Sequence, residues 1–355
     1  MLLRQKIAQM LVMGFSGCEI DNDSLVVKWI RDLGLGGVIL FDFDLKTKTY
    51  GKNIKNREQI KRLTAKLASF TGSDGLPLFI AIDYEGGAVD RLKKIDEVMI
   101  SMKACDQALL SDDDLSHEAG KMASLLKELG FNVNFAPIVD LNLNSEQGII
   151  GKLGRSFSND PYEVIRAAKL FVEAFNNYGI ACSYKHFPGH GSASGDTHEG
   201  FVDVSDSFDP KELIPYEILL KDSILPPSMV MTAHVINRQL DNSGLPATLS
   251  HEIITGILRK KIGFNGLIIS DDLQMQAIAN HYSVDEALSL TINAGADLVI
   301  FGNQLGDITA TEVVDRIEKL VETGIIPISR IEDAYNRVVK FKEEVFSHSA
   351  EGIAI

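Results

Sequence analysis

Short runs of apolar residues recur along the whole chain, and each ends in glycine, polar or ionisable residues. The runs are continuous rather than alternating, which is the pattern of parallel strands that are buried on both faces. The eight runs are Gln9–Gly14, Gly37–Phe41, Leu78–Asp83, Val133–Asp140, Ile180–His186, Ser228–His234, Leu267–Asp271 and Asp297–Phe301. We therefore predict eight parallel β-strands.

The segments between these runs carry the start signals of helices, either a capping residue or the spacing of a capping box. The signals are Ser111, Asp160 with Pro161, Ser283 with Glu286, and Ser329 with Glu332. Strand and helix thus alternate eight times, which predicts a closed (β/α)₈ TIM barrel of the α/β class. The alternative is an open doubly wound sheet, but no glycine-rich dinucleotide fingerprint follows the first strand.

No low-complexity linker divides the 355 residues, so one catalytic barrel over residues 1–355 is the simplest organisation. The segment 44–57 is polar and rich in lysine, and it reads as a long loop after the second strand. We find no sequence repeat beyond the alternation of strand and helix.

Composition and charge exclude several classes of protein. The net charge of −14 argues against a nucleic-acid partner, because phosphate binding requires a basic face. Three cysteines, Cys18, Cys105 and Cys182, read as small reduced residues. Polar residues interrupt the apolar N-terminal stretch, and no apolar run reaches the length of a membrane span. We expect a soluble cytoplasmic protein without a membrane partner; its oligomeric state stays open.

Ionisable residues stand at the ends of several predicted strands. The third strand ends in Asp83, with Glu85 and Arg91 in its loop, and the fifth, sixth and seventh end in Lys185-His186, His234 and Asp271-Asp272. Any one of these could form a structural ion pair. The catalytic groups of a barrel come from the C-terminal ends of its strands, however, so their coincidence at one rim favours an active site.

The densest stretch of candidate chemistry runs from Lys185 to His198. Asp196 and His198 are two residues apart, so in an extended loop their side chains point to the same side. Asp196 can then fix the histidine tautomer and leave the other ring nitrogen free for proton transfer. A metal site on His186, His190 and His198 is the alternative, but neither an HxH nor an HExxH spacing is present. We expect no metal and no cofactor.

At these residues the chain resembles the β-N-acetylglucosaminidase branch of family 3 glycoside hydrolases, of the single-domain peptidoglycan-recycling type. The motif KHFPGHG is followed by an aspartate and a histidine five and seven residues after its last glycine. Further matching motifs occur in the expected order over nearly the whole chain. They are GGVILF at Gly36–Phe41, IDYEGG with RL at Ile82–Leu92, NFAPIVD at Asn134–Asp140, GRSFSNDP at Gly154–Pro161, TAHV at Thr232–Val235 and SDDLQM at Ser270–Met275.

The resemblance implies a role for each matching residue. Asp271 is the nucleophile, His198 is the proton donor and later the base, and Asp196 orients His198. The residues that the resemblance assigns to sugar binding are Asp83, Arg91, Arg155, Lys185 and His186, with His234 expected to line the same pocket. A neutral imidazole facing the acceptor also leaves open that phosphate replaces water in the second step.

The chain departs from the family pattern at the pocket rim. Tyr84 replaces the usual glutamine, Ala88 the usual arginine, and Ser192-Ala193 the usual aspartate-threonine. The second strand ends in FDFDL instead of an arginine-asparagine pair. None of these changes removes an assigned catalytic residue, but together they leave the leaving-group specificity in doubt.

The leading hypothesis is exo-hydrolysis of terminal β-linked N-acetylglucosamine from peptidoglycan fragments, with a carbohydrate as the partner molecule. The alternatives are a β-glucosidase or β-xylosidase of the same fold, a metal-dependent barrel hydrolase, and a sugar-binding barrel without turnover. The β-glucosidase and β-xylosidase alternative is disfavoured, because those enzymes resemble one another in taking a carboxylate acid/base from a second domain. We expect one barrel over this chain, which leaves no room for such a domain.

Overall fold

Eight parallel strands close into a barrel in the order β1-β8-β7-β6-β5-β4-β3-β2, which confirms the predicted TIM barrel. The computed structural model describes residues 2–70, 75–95, 98, 100–197, 200–225 and 228–346. Each predicted apolar run overlaps one barrel strand, and β5 and β7 end one residue beyond their runs. The strands are β1 Leu11–Gly14, β2 Gly37–Ile39, β3 Phe79–Ile82, β4 Val133–Asn134, β5 Ala181–Phe187, β6 Met229–Thr232, β7 Ile268–Asp272 and β8 Leu298–Phe301.

Helices surround the barrel and connect its strands. The α-helices are α1 Leu3–Gln9, α2 Leu25–Lys28, α3 Arg57–Ser69, α4 Ala104–Gln107, α5 Asp112–Glu128, α6 Ile149–Lys152, α7 Pro161–Asn177, α8 Ile214–Leu219, α9 Gln276–Ala279, α10 Val284–Ala294, α11 Ala310–Glu322 and α12 Ile328–Phe346. Further helical segments are Trp29–Leu33, Pro210–Leu213, Ala247–Leu249 and Glu252–Ile262. Within the residues described, no helix is both long and apolar enough to cross a membrane.

The barrel interior is a layer of apolar side chains, separate from the larger core between strands and helices. Every second residue of a strand points to the same side, so polar residues that continue this alternation also point inward. Inward positions further along the same strands include Asp83 after β3, Lys185 in β5 and Asp271 in β7. The period of the strands therefore carries three of the predicted site residues to the C-terminal end of the barrel.

Helix α12 closes the opposite end of the barrel. Its side chains Val338, Phe341 and Val345 join the apolar layer of the interior. The fully buried Lys342 donates to Gln9 Oε1 at 2.7 Å and to the Gly36 carbonyl at 2.9 Å. The N-terminal end of the barrel is thus sealed, and the C-terminal end is where a ligand can enter.

The lysine-rich segment after β2 differs from the predicted loop, because it contains an antiparallel pair of strands, Phe43–Asp44 with Thr49–Tyr50. Its base is closed where the Gly51 amide donates to the Asp42 carbonyl at 2.6 Å and the Asn53 amide to the Phe41 carbonyl at 2.9 Å. We call residues 43–50 the β2 hairpin. Backbone pairing within this polar segment replaces the solvation that a loop would need.

Candidate active site

A pocket of about 300 Å³ opens at the C-terminal end of the barrel. Its polar side is lined by residues from the ends of β3, β5 and β7 and from the segments that follow β4 and β5. Those predicted from the sequence are Asp83, Arg91, Arg155, Lys185, His186, Asp196 and Asp271. The structure therefore brings seven of the nine sequence-predicted site residues to one pocket. His198 lies outside the residues that the structure describes.

A buried charge cluster forms the floor of the polar side. Lys185 Nζ lies 2.9 Å from Asp83 Oδ1 and 2.8 Å from Glu85 Oε1. Arg155 holds Glu85 with two bonds, Nε to Oε2 and Nη2 to Oε1, each 2.8 Å long. Such a bidentate pair fixes both partners in orientation as well as in distance.

Each group of this cluster sets the charge of its neighbours. Burial alone would raise the pKa of Glu85, but Arg155 and Lys185 hold it well below its ordinary value. Burial would likewise lower the pKa of Lys185, yet Asp83 and Glu85 raise it. Glu85 and Lys185 are therefore both charged at neutral pH. The sequence singled out Glu85 in the IDYEGG motif without assigning it a role; its role here is to hold Lys185 and Arg155 in place.

Arg91 lies at the side of the pocket between two carboxylates. Its Nη2 is 3.8 Å from Asp83 Oδ2, and its Nη1 is 3.8 Å from Asp42 Oδ1. Both separations exceed a hydrogen bond. The guanidinium also lies over the Phe41 ring, 5.7 Å from the centroid. Arg91 is thus positioned by attraction at a distance, and a ligand hydroxyl can bridge it to Asp83.

His186 is oriented by Asp140, a residue that the sequence analysis left without a role. His186 Nδ1 lies 2.7 Å from Asp140 Oδ2, and the backbone amides of His186 and His190 also donate to this carboxylate. Burial would raise the pKa of Asp140, but the His186 side chain, the neighbouring His190 and the His186 amide lower it. An ionised Asp140 accepts a hydrogen bond from Nδ1–H, which leaves Nε2 of His186 for a ligand. The strand-end aspartate of NFAPIVD was the signal for it.

His190 is a further pocket residue that sequence reasoning considered only as a metal ligand. The ring is 4% exposed and lines the pocket. Burial and the neighbouring His186 lower the pKa of His190 to about 4, so it is neutral at physiological pH. A neutral imidazole offers one donor and one acceptor nitrogen. His190 is therefore suited to hydrogen bonding with a ligand rather than to carrying charge.

Glu212 lies beneath the turn that follows β5. It belongs to the helical turn Pro210–Leu213, and its Oε2 accepts a hydrogen bond of 2.8 Å from the Gly191 amide. A Cβ atom at Gly189 would come within 2.7 Å of the Glu212 side chain, so only glycine fits there. Burial raises the pKa of Glu212 to about 7. No signal in the sequence pointed to Glu212, because its contact is made by chain packing far beyond the motif.

Asp271 stands at the end of β7 and faces the pocket. Its Oδ1 accepts a hydrogen bond of 2.8 Å from the amide of Asp272. His234, which we expected to line the pocket, is fully buried and is not among the lining side chains. Its Nε2 lies 3.0 Å from the Asp272 carbonyl and its Nδ1 lies 2.9 Å from the Thr248 hydroxyl. His234 therefore supports the strand end that carries Asp271.

The segment after β5 crosses the mouth of the barrel. Asp196 and Thr197 both line the pocket, and the Thr197 carbonyl accepts a hydrogen bond of 3.3 Å from the amide of Ala277 in α9. Helix α9 follows β7, so this segment reaches from β5 to the side of the nucleophile candidate. The predicted bond between Asp196 and His198 stays a prediction, because His198 is outside the described residues.

Two of the departures from the family pattern are explained by the structure. Tyr84 is 2% exposed and packs in the outer core rather than in the pocket. The FDFDL stretch, where an arginine-asparagine pair was expected, leads into the β2 hairpin, which returns the chain to the end of β2. Asn53 Oδ1 accepts from the Phe41 amide at 3.0 Å.

Among the residues that the structure describes, no group of three or more histidine, cysteine, aspartate or glutamate side chains is arranged to hold a metal ion. The His186 Nδ1 atom is already bonded to Asp140.

Comparison with known proteins gives a consistent result. Residues 2–341 match the model of the glycosyl hydrolase family 3 N terminal domain. The chain is 33% identical to a beta-hexosaminidase of Tolumonas auensis, over 94% of this chain and 98% of that protein. It is 32% identical to beta-hexosaminidase A of Pseudoalteromonas piscicida, over 89% of this chain, but spans only 54% of that protein. A solved family 3 beta-N-acetylglucosaminidase from Paenibacillus sp. str. FPU-7 is similar over 100% of this chain and 64% of its own, with a TM-score of 0.85 and 31% identity.

Proposed function

This chain belongs to glycosyl hydrolase family 3, and on that basis we propose that it is an exo-acting, retaining β-N-acetylglucosaminidase. The family resemblance predicted from the sequence motifs is confirmed, and with it the class of glycoside hydrolases. The observation that carries the proposal is that Asp271 and Asp196 line one pocket together with the cluster of Asp83, Arg155, Lys185 and His186. The names of the relatives support the N-acetylated sugar.

In the first step, the Asp271 carboxylate attacks the anomeric carbon and the bond from that carbon to the leaving oxygen breaks. His198 gives its proton to the leaving oxygen at the same time. In the second step, water attacks the anomeric carbon, His198 takes a proton from it, and the bond to Asp271 breaks. Two inversions restore the β configuration. One observation supports these roles. Asp196 belongs to the segment that reaches the side of Asp271, because the Thr197 carbonyl in that segment accepts a hydrogen bond from the amide of Ala277 in α9.

Sugar hydroxyls have matching partners on the polar side of the pocket. Asp83 and Glu85 accept hydrogen bonds, whereas Lys185 and Arg155 donate them, and these groups hold one another in fixed positions. A pre-organised arrangement needs no reorganisation when the sugar distorts towards the transition state, so bonds to its hydroxyls can strengthen there. The rear of the pocket is sealed by the apolar barrel interior, which favours a terminal sugar residue.

The natural substrate that we propose is a peptidoglycan fragment carrying terminal β-linked N-acetylglucosamine. We also propose a cytoplasmic location, supported by the free thiols of Cys18, Cys105 and Cys182. The proposed substrate rests on the resemblance in the motifs, and the proposed location rests on the free cysteines. Release of N-acetylglucosamine from purified muropeptides, and fractionation of cells that express the tagged protein, test them separately.

The direct test compares turnover of a chromogenic β-N-acetylglucosaminide with that of the β-glucoside. We expect preference for the acetamido sugar in the wild type, and loss of its turnover in Asp271→Asn and in His198→Ala. Asp272→Asn is the matched control at the same strand end, and it should retain more activity than Asp271→Asn. Preference for the glucoside would reject the proposed substrate, and undiminished turnover in Asp271→Asn would reject the proposed nucleophile.

A further inference from the structure

One part of the apolar lining of the pocket, on the side of β2 and β8, is not used by the proposed mechanism. Phe43 and Leu45 on the β2 hairpin and Leu305 after β8 line it, and we call these three residues the apolar lip. Leu45 is 44% exposed and Leu305 is 41% exposed. Large apolar side chains exposed at the mouth of a polar pocket indicate a surface that a ligand covers.

The apolar lip is held in a fixed position by polar contacts behind it. Gln304 Nε2 donates to the Phe43 carbonyl at 2.8 Å, and Gln304 Oε1 accepts from the Leu45 amide at 3.1 Å. Lys46 forms an ion pair with Asp307, which ties the hairpin to the β8 segment a second time. Because the lip is already positioned, a ligand loses less free energy in ordering it.

The geometry of a pyranoside indicates which part of a substrate meets the apolar lip. The polar partners Asp83 and Lys185 lie at the ends of β3 and β5, and Asp271 lies at the end of β7. If the far hydroxyls of the sugar bind at β3 and β5, its anomeric carbon points towards Asp271. The leaving group is attached at that end of the ring, so it extends towards β8 and β2, where the lip lies.

The segment that carries the acid/base candidates reaches the same side. The hydrogen bond from the Ala277 amide to the Thr197 carbonyl brings this segment beside α9, and Met275, which immediately precedes α9, also lines the pocket. A proton donor must lie next to the leaving oxygen. The direction of the sugar ring and the path of this segment both favour a leaving group on the side of the apolar lip.

We propose that the apolar lip of Phe43, Leu45 and Leu305 is the aglycone subsite, and that it selects leaving groups with an apolar or aromatic surface. This inference rests on the proposed function, because it assumes that Asp271 attacks the anomeric carbon. It assigns a task to the β2 hairpin, at the strand end where the sequence departs from the family pattern.

The test uses methyl and benzyl β-N-acetylglucosaminide, whose leaving alcohols are closely matched in acidity and differ in apolar surface. We expect kcat/KM of the wild type to favour the benzyl glycoside. In the double variant Leu45→Ser with Leu305→Ser, the ratio of benzyl to methyl kcat/KM should fall about tenfold, or about 1.4 kcal/mol, since the lost contact area is of that order. The kcat/KM of the methyl glycoside should change little.

The control variants are Leu109→Ser and Ile224→Ser, which are 85% and 88% exposed and do not line the pocket. They should leave the ratio unchanged. An unchanged ratio in the lip variant, with both substrates turned over, would overturn the aglycone subsite alone. Turnover of the matching methyl and benzyl glucosides in place of the N-acetylglucosaminides would overturn the proposed sugar, while the benzyl-to-methyl ratio would still decide on the lip.

Discussion

Glu85 shows at the scale of one residue how the site is stabilised by charge. It is 4% exposed and is contacted by both Arg155 and Lys185. Removing one member of a buried ionic cluster costs more than the cluster contributes, because the remaining charges lose their partner and cannot reach water.

We predict that Glu85→Gln lowers the free energy of unfolding by about 3–5 kcal/mol. The control is Glu332→Gln, which breaks the Lys6–Glu332 pair on the surface, where Glu332 is 50% exposed. That variant should lose less than about 1 kcal/mol, because water screens an exposed pair. Urea unfolding of the three proteins measures the difference, and equal losses in both variants would contradict the assigned role of the cluster.

Glu212 gives a pH dependence whose sign follows from its pKa. The pKa is raised from 4.5 to about 7 by burial, so the folded protein keeps a proton there that the unfolded chain releases above pH 4.5. The stability that this proton contributes is therefore present at low pH and is lost as the pH rises through about 7.

We predict that Glu212→Gln is more stable than the wild type at pH 8, and that this advantage shrinks at pH 5. The expected change in the advantage between these two pH values is about 2.5 kcal/mol, because the unfolded glutamate is already largely ionised at pH 5. The glutamine keeps an acceptor for the Gly191 amide, whereas Glu212→Ala does not and should also lower kcat by loosening the turn after β5. The same advantage at both pH values would show that Glu212 does not titrate as described.

At the scale of elements, the sequence predicted the strands better than the helix starts. All eight apolar runs overlap barrel strands, because continuous burial needs continuous apolar sequence. The caps Ser111, Asp160 and Ser283 are confirmed by hydrogen bonds to the first turns of α5, α7 and α10. The predicted cap at Ser329 is wrong, because α12 begins at Ile328 and Ser329 lies inside its first turn.

This difference between two serines can be measured. We expect Ser283→Ala to lower the free energy of unfolding by about 1 kcal/mol, because it removes the capping box with Glu286. Ser329→Ala should change it by less than about 0.5 kcal/mol, since alanine is favoured within a helix. Thermal unfolding of the two variants at the same pH compares them, and a larger loss in Ser329→Ala would reverse the assignment of caps.

The positions of site residues could be predicted where they follow from the strand period, and not where they depend on packing between distant segments. Asp83, Lys185 and Asp271 continue the inward alternation of their strands, so their convergence follows from the barrel. His234 is also a strand-end residue, but it is out of phase with the inward-facing Met231 and packs into the wall behind Asp272, so the strand period argues against a place in the pocket. Glu212 and the β2 hairpin depend on contacts between segments distant in sequence, and no local pattern encodes them.

At the scale of the whole molecule, stability and chemistry lie at opposite ends of the barrel. Helix α12 closes the N-terminal end, where Phe341 is 3% exposed and packs beside Phe79 with ring centroids 6.2 Å apart. The pocket opens at the C-terminal end. Changes at one end should therefore affect unfolding without affecting the chemistry of the folded enzyme.

We predict that Phe341→Ala lowers the free energy of unfolding by about 3–5 kcal/mol, because it leaves a cavity in the barrel end. Its kcat per folded molecule should stay close to that of the wild type. Ile328→Ala on the same helix is the control, because Ile328 is 55% exposed and loses little packing. A fall in kcat without a loss of stability would contradict this separation of the two ends.

The proposed mechanism requires a covalent bond between Asp271 and the anomeric carbon of N-acetylglucosamine. In a 5-fluoro-N-acetylglucosaminyl fluoride, the ring fluorine slows both steps, but the fluoride leaving group keeps the first step faster than the second. The glycosyl-enzyme should therefore accumulate. Digestion and mass spectrometry should then find one sugar on the peptide that contains Asp271, and none on the Asp271→Asn variant. A label on any other residue would reject Asp271 as the nucleophile, and hydrolysis that first releases the α-anomer would reject the retaining mechanism.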